Sequence, residues 1–141
     1  MNILAIDYGK KRIGLAWCDT AVNVVLPYGV IQTSDFPARK RDPAQGGGRL
    51  QTSELVDLIK NERIEKVVMG LPVGLDGKEN ENTKNVRTFA KALEAQTNAP
   101  IEFIDERFTS ASADRMGESG ASRDEKAAMV ILQSYIDRAT S

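Results

Sequence analysis

The chain has 141 residues, which favours a single domain, because chains of about 100 to 200 residues usually enclose one hydrophobic core. Its hydrophobic fraction of 41% and charged fraction of 28% are typical of a globular protein that folds by itself. A net charge of −1 argues against a protein that coats nucleic acid, and the absence of histidine excludes Ser-His-Asp catalysis and histidine-ligated metal sites.

The first thirty residues predict three adjacent strands. The short apolar runs "NILAI" and "RIGLAWC" are separated by "DYGKK", which resembles a turn. The segment "NVVLPYGVIQT" follows as a third strand, in which Pro27 and Gly29 indicate an edge position or a bulge. We therefore expect the chain to begin as a three-stranded antiparallel meander.

A polar segment interrupts this pattern at residues 34–49. It contains two prolines and three consecutive glycines, a composition that is typical of a mobile loop. Four cations in or next to it could contact nucleic acid or could simply be solvated: Arg39, Lys40, Arg41 and Arg49.

Two helix-then-strand units are predicted after the loop. The first helix is indicated by four apolar residues at the spacing of one helical face, Leu50, Leu55, Leu58 and Ile59. The buried strand "KVVMGLP" follows this helix, and "TKNVRTFAKALEAQT" then places apolar residues at helical spacing before the strand "APIEFID". Because a helix connects each pair of strands, we expect these strands to pair in parallel.

Helices are predicted at the end of the chain. The segment "TSASADRM" indicates a short helix with Thr109 as a cap, and "EKAAMVILQSYIDRA" indicates a long terminal helix. No internal repeat or domain boundary is visible. The predicted class is α/β, with one domain over residues 1–141 and a mixed sheet of five strands flanked by helices.

The cysteine content and the apolar runs give no indication of export or of a membrane. The one cysteine, Cys18, cannot form an intramolecular disulfide, and a strand-like segment follows Met1 instead of a signal peptide. No stretch approaches the roughly 20 apolar residues that a membrane-spanning helix needs. We therefore expect a cytoplasmic protein in which Cys18 packs in a strand.

Three carboxylates stand where predicted elements begin or end. Asp7 follows the first strand, Glu106 follows the last strand, and Asp124 opens the terminal helix. Ligand-binding groups in open sheets gather beyond strand ends, so these acids are candidates for one site. If they converge, hard oxygen ligands without histidine or thiolate suit Mg²⁺ or Mn²⁺, and phosphate-ester chemistry follows.

The first of these acids also has an explanation that needs no ligand. Asp7 directly follows a predicted strand that is apolar on both faces. Burial of a carboxylate without a partner would lower the stability of the fold by several kcal/mol. Lys10, Lys11 or Arg12 could supply this partner in an ion pair.

Similar alternatives apply to the other two acids. Asp124 lies on the apolar face of the predicted helix, but Ser122 and Glu125 could form a capping box in which Asp124 simply favours the positive end of the helix dipole. At the end of the last strand, the alternation of side chains between the two faces does not decide whether Asp105 or Glu106 faces the site.

Four segments in order carry a resemblance that runs nearly end to end. They are "ILAIDYGKKRIGLA", "VVMGLPVGLDGKE", "FIDERFTSASAD" and "RDEKAAMVILQSYI". These segments resemble the YqgF or RuvX family of Holliday-junction-resolvase-like proteins, within the ribonuclease H-like superfold. The resemblance implies a ribonuclease H-like fold, with Asp7, Glu106 and Asp124 as catalytic, metal-binding acids and Mg²⁺ or Mn²⁺ as the cofactor.

The chain departs from the related Holliday-junction resolvases at one acidic position. Their motif ends with two aspartates three residues apart, whereas this chain has Asp124 but Ala127. The missing acid leaves the number of metal ions, one or two, open.

The resemblance implies a metal-dependent nuclease that matures the 5′ end of precursor 16S ribosomal RNA. RNA is favoured over branched DNA because a small chain of near-neutral charge offers little surface for a four-way junction. Holliday-junction cleavage and a non-catalytic nucleic-acid-binding module are the alternatives. We expect a monomer or a weak homodimer without membrane attachment.

Five cations close to these motifs are candidates for contact with nucleic acid. They are Lys10, Lys11, Arg12, Lys78 and Arg107. Sugar kinases and actin-like ATPases share the Asp-x-Gly of the opening motif, but they need two such domains, so the length of this chain argues against them.

Overall fold

Residues 1–9, 12–32, 55–72, 77–105 and 123–140 are described by the computed structural model of the chain. The described part of the first helix, α1, covers residues 55–61. The other elements, in chain order, are β1 (Asn2–Tyr8), β2 (Arg12–Asp19), β3 (Val24–Gln32), β4 (Ile64–Leu71), α2 (Glu81–Thr97), β5 (Ile101–Asp105) and α3 (Arg123–Thr140). The predicted loop at 34–49, the predicted short helix over 109–116 and Leu50 lie outside the described residues.

The five strands form one mixed sheet in the order β3-β2-β1-β4-β5. Strand β2 pairs antiparallel with both β1 and β3, whereas β4 pairs in parallel with β1 and with β5. The predicted meander and the two predicted parallel strands are therefore confirmed. Because β1 is the central strand, its carboxyl end lies between β2 and the carboxyl end of β4.

Strand β3 is at the edge of the sheet and carries a bulge. Its ladder with β2 shifts where Leu15 pairs with Gly29 and Ala16 pairs with Pro27, which leaves Tyr28 as an extra residue. Pro27 has no backbone N–H, so it is tolerated on an edge strand. Both predicted explanations of this segment, an edge position and a bulge, are confirmed.

The two faces of the sheet are covered by different helices. Leu4 and Ile6 of β1 are buried with apolar residues of α1 and α2, whereas Ile3 and Ala5 are buried with apolar residues of α3. Cys18 is fully buried on the α3 face, as predicted, and burial raises the pKa of its thiol. Since side chains alternate along a strand, Asp7 lies on the same face as Ile3 and Ala5.

Terminal helix α3 buries the stripe that its sequence predicts. Four of the five predicted residues are buried: Ala128, Ile131, Leu132 and Ile136. The fifth, Tyr135, is partly buried and packs against them. Within the described ranges, no helix is long and apolar enough to cross a membrane.

Candidate active site

The first candidate acid lies near the carboxyl end of the central strand. Asp7 is the sixth residue of the seven-residue strand β1 and is half-buried. Across the antiparallel ladder its partner is Gly14 of β2. Residues paired in this way point to the same face of the sheet, so the space next to Asp7 on the α3 face is bordered by a residue without a side chain.

The N-terminus of α3 fills this space with its backbone. A Cβ atom added to Gly14 would lie 1.9 Å from the carbonyl oxygen of Asp124, far inside van der Waals contact. Only glycine therefore permits α3 to rest on β2 at this level. The contact places the Asp124 backbone against the residue that pairs with Asp7, so α3 brings this acid to the face of the sheet that carries Asp7.

The Asp124 side chain already has a cationic partner. Arg12 Nε lies 3.2 Å from Asp124 Oδ2, and the two side chains are 56% and 28% exposed. The sequence suggested Arg12 as a partner of Asp7 or as a nucleic-acid contact, and this ion pair with Asp124 is a third role that sequence reasoning missed. Asp124 also lies in the first turn of α3, where the helix dipole favours a negative charge.

The face occupied by Asp105 follows from its neighbours in β5. Ile104 is buried with residues of α3, whereas Phe103 packs in the cluster on the opposite face. Asp105 pairs with Leu71 of β4, which also belongs to that opposite cluster. Asp105 therefore lies on the α2 face, away from the face that carries Asp7.

Four other predicted site residues cannot be compared with the structure. Glu106, Arg107, Lys10 and Lys11 lie outside the described residues. Lys78 is described and exposed, and its proposed contact with nucleic acid stays a prediction.

A cleft of about 370 Å³ opens beside Asp7 at the carboxyl ends of β1 and β4. Its lining consists of Asp7, Tyr8, Gly9, Pro72, Asn82, Asn85 and Val86. The last three belong to the first turns of α2, which begins at Glu81, two residues before the start of the predicted helix "TKNVRTFAKALEAQT". The signal that could have found them is the pair of asparagines at positions i and i+3, which share one helical face.

The first turn of α2 is anchored to the end of β4. Asn80 caps the helix. Its side-chain Oδ1 accepts a hydrogen bond from the backbone N–H of Thr83 at 3.1 Å, and its backbone N–H donates to Thr83 Oγ1 at 3.0 Å. The Thr83 hydroxyl, which is fully buried, also donates to the carbonyl oxygen of Pro72. The two walls of the cleft are therefore connected directly.

A second contact fastens the segment before α2 to the helix. Arg87 donates two hydrogen bonds to Glu79, at 2.8 and 2.9 Å, and its guanidinium lies 5.3 Å from the centre of the Phe103 ring. The charge of Arg87 is thus paired with a neighbouring carboxylate.

The chemistry of the donors fits a hard divalent cation. Asp7 and Asp124 provide carboxylate oxygens on the α3 face near the carboxyl end of β1, and carboxylate oxygen is the ligand type that Mg²⁺ and Mn²⁺ prefer. In the described part of the chain, no group of three potential ligands occurs, and the third predicted ligand, Glu106, lies outside that part.

Comparison with protein families identifies the chain. The family described as "RuvX: Holliday junction resolvase" matches residues 1–138. The chain belongs to the RuvX family. The resemblance carried by the four sequence segments is thereby confirmed.

Curated relatives of this RuvX chain cover almost its whole length. A protein of Maridesulfovibrio salexigens is 35% identical over 99% of this chain and 100% of its own. A protein of Dictyoglomus turgidum is 37% identical over 97% of this chain and 94% of its own. Both carry the name "Putative pre-16S rRNA nuclease".

The fold of the RuvX chain matches that of a solved structure. Thermus thermophilus RuvC, whose structure was solved in complex with a Holliday junction substrate, superposes with a TM-score of 0.73 over 99% of this chain and 95% of RuvC. The two sequences are 14% identical, so the likeness concerns the fold. The predicted ribonuclease H-like fold is confirmed.

Proposed function

We propose that this RuvX protein is a divalent-metal-dependent nuclease that hydrolyses phosphodiester bonds in precursor 16S ribosomal RNA, at its 5′ end, in the cytoplasm. The observation that carries the proposal is the contact between Gly14 and the Asp124 backbone, which brings a second carboxylate to the strand end that holds Asp7. The names of the curated relatives support precursor 16S RNA as the substrate.

The proposed metal ligands are Asp7, Asp124 and Glu106. Glu106 is preferred over Asp105 because Asp105 lies on the opposite face of the sheet, with Leu71 and Phe103. When bound there, Mg²⁺ or Mn²⁺ would supply positive charge for the scissile phosphate and would activate water. Since the chain has no histidine, no histidine acts as the general base in the proposed reaction.

Substitution of Asp7 tests this proposal. We expect Asp7→Asn to reduce Mg²⁺- or Mn²⁺-dependent cleavage by at least about a hundredfold, because an amide loses the charge that holds the cation. Cleavage of labelled precursor 16S RNA measures the effect, and urea unfolding shows whether the variant remains folded. Asp57→Asn, which changes an exposed acid of α1, is the matched control and should cleave normally. A folded Asp7→Asn variant with wild-type activity would contradict the proposal.

The choice of substrate needs a parallel panel. Precursor 16S RNA, an unrelated single-stranded RNA and a four-way DNA junction are compared under the same conditions with wild type and Asp7→Asn. We expect the precursor RNA to be cleaved fastest. Faster cleavage of the junction would favour the resolvase activity in the family's description. Binding that resists both chelation and Asp7→Asn, without any cleavage, would favour a non-catalytic binding module.

A further inference from the structure

The cleft beside Asp7 is lined by two neutral amide side chains of α2, Asn82 and Asn85. We propose that it holds one unpaired base of the RNA strand next to the scissile phosphate, and that Asn82 and Asn85 form hydrogen bonds with the edge of that base. This inference rests on the proposed nuclease function and adds a positional base preference to it.

The groups that α2 contributes to the lining favour a base over a phosphate group. The described lining contains no lysine or arginine, so these residues offer a phosphate no ion pair. The amides of Asn82 and Asn85 are neutral and can form hydrogen bonds with a neutral base. The volume of about 370 Å³ falls in the usual range for small-ligand sites.

The two asparagines provide the donors and acceptors that a base edge requires. Each side-chain amide carries a carbonyl acceptor beside an NH₂ donor, which matches the neighbouring donor and acceptor groups of bases. Asn82 and Asn85 are three positions apart on α2, so they point in similar directions, and both side chains are exposed. Proteins that recognise RNA by sequence usually bind unpaired bases in this way.

The walls of the cleft are held in position before any ligand binds. Thr83, between the two asparagines, is bonded to Asn80 and to the Pro72 carbonyl. The ring of Tyr8 lies 4.5 Å from the ring of Phe89, measured between centres, at an interplanar angle of 30°. Because ordering costs are small in a preformed site, a single base can bind with useful affinity.

The cleft and the acids share Asp7, which explains how one strand could occupy both. Asp7 lines the cleft and lies on the α3 face with Asp124, whereas Asn82 and Asn85 approach from the α2 side. A strand that crosses the end of β1 would place its phosphate at the acids and an adjacent base at the amides.

An abasic scan of single-stranded RNA tests the inference. Oligonucleotides in which one base at a time is removed are bound to the wild-type protein, with Ca²⁺ in place of Mg²⁺, and affinity is measured by fluorescence anisotropy. We expect one position to lose about tenfold in affinity when its base is removed. In the Asn82→Ala/Asn85→Ala double variant, this penalty should disappear, so that intact and abasic strands bind equally.

The control is Gln96→Ala, which removes an exposed amide from the other end of the same helix and should keep the full abasic penalty. Thermal unfolding verifies that each variant is folded. A flat scan for wild type, or a penalty that survives in the folded double variant, overturns the inference. Cleavage of the intact strand with Mg²⁺ is measured separately: cleavage with a flat scan refutes the base site alone, whereas an asparagine-dependent penalty without cleavage refutes the nuclease alone.

Discussion

At the scale of single residues, the Arg12 side chain stabilises the fold and also competes for a carboxylate of the proposed metal site. It pairs with Asp124 across a distance of 3.2 Å, while a metal ion at the proposed site would require the same carboxylate. Both side chains reach solvent, so the pair contributes up to about 1 kcal/mol to stability. Arg12 therefore neutralises Asp124 and at the same time competes with any cation that binds there.

The competition predicts the effect of removing Arg12. We expect Arg12→Ala to bind Mn²⁺ up to about fivefold more tightly than wild type, because a competitor worth up to about 1 kcal/mol is lost. Isothermal titration with Mn²⁺ measures the change, and the free energy of unfolding should fall by no more than about 1 kcal/mol. Lys91→Ala, at an exposed position of α2, serves as the control. Unchanged or weaker binding of Mn²⁺ by Arg12→Ala would be incompatible with this role.

Residue patterns predict the acids better than they predict the partners of the acids. Asp7 and Asp124 were proposed from their places at element ends, and the structure shows those places, because position at an element end is local in sequence. The pairing of Arg12 with Asp124 depends on how α3 lies across β2, and a separation of 112 positions leaves no local signal. Asn82 and Asn85 were missed for a similar reason, since only the pairing of β1 with β4 brings α2 beside Asp7.

At the scale of elements, the contact between β2 and α3 depends on Gly14. We expect Gly14→Ala to lower the free energy of unfolding by about 3 kcal/mol, because its Cβ would lie 1.9 Å from a backbone oxygen that cannot rotate away. Cleavage should fall further than stability alone explains, since relief of the clash moves Asp124 away from Asp7. Urea unfolding and single-turnover cleavage measure the two effects.

A second glycine provides the comparison. Gly29→Ala, on the edge strand, meets no atom within 4 Å but takes an unfavourable backbone conformation at φ +157°. This substitution should lower the free energy of unfolding by about 1 kcal/mol. The folded variant should cleave at the wild-type rate. If Gly14→Ala cleaved at the wild-type rate, the close approach of α3 would not be needed for the site.

The strands and helices themselves were largely predictable from sequence. Strand β1 has a continuous apolar run because both of its faces are buried, and α2 shows a clear helical period because only one face is buried. The bulge at Tyr28 was suggested by Pro27 and Gly29, although the residue left unpaired could not be named. That choice depends on the register with β2, which is decided by packing across the whole ladder.

At the scale of the whole molecule, four groups with raised pKa values predict how stability depends on pH, and the buried Cys18 thiol is the first of them. Burial raises the pKa of the Tyr8 and Tyr28 phenols, with a further contribution from Glu62 at Tyr28. The hydrogen bonds of the Lys66 ammonium to Tyr135, and then to Glu102, raise its pKa as well. The folded state thus holds these protons more tightly than the unfolded chain does.

The sign of the effect follows from linkage. The stabilisation is fully present below the unfolded pKa values, about 8.5 for the cysteine and about 10 for the tyrosines and the lysine, and is lost as the pH rises through the higher folded values. We therefore expect the free energy of unfolding to decline above about pH 8.5 and more steeply above about pH 10, as measured by urea titration at successive pH values. Tyr8→Phe, which removes one of the four groups, should show a shallower decline. A free energy that stays constant through this range would be inconsistent with the raised pKa values.

The position of α3 across the meander also has a consequence for biosynthesis. Strands β1 to β3 leave the ribosome first, but the helix that covers Ile3, Ala5 and Cys18 is translated only after all five strands. More than a hundred residues are therefore translated after Asp7 before Asp124 is added to the chain. For a proposed nuclease of ribosomal RNA, this order of synthesis keeps the two acids apart while the early part of the chain emerges beside the RNA of its own ribosome.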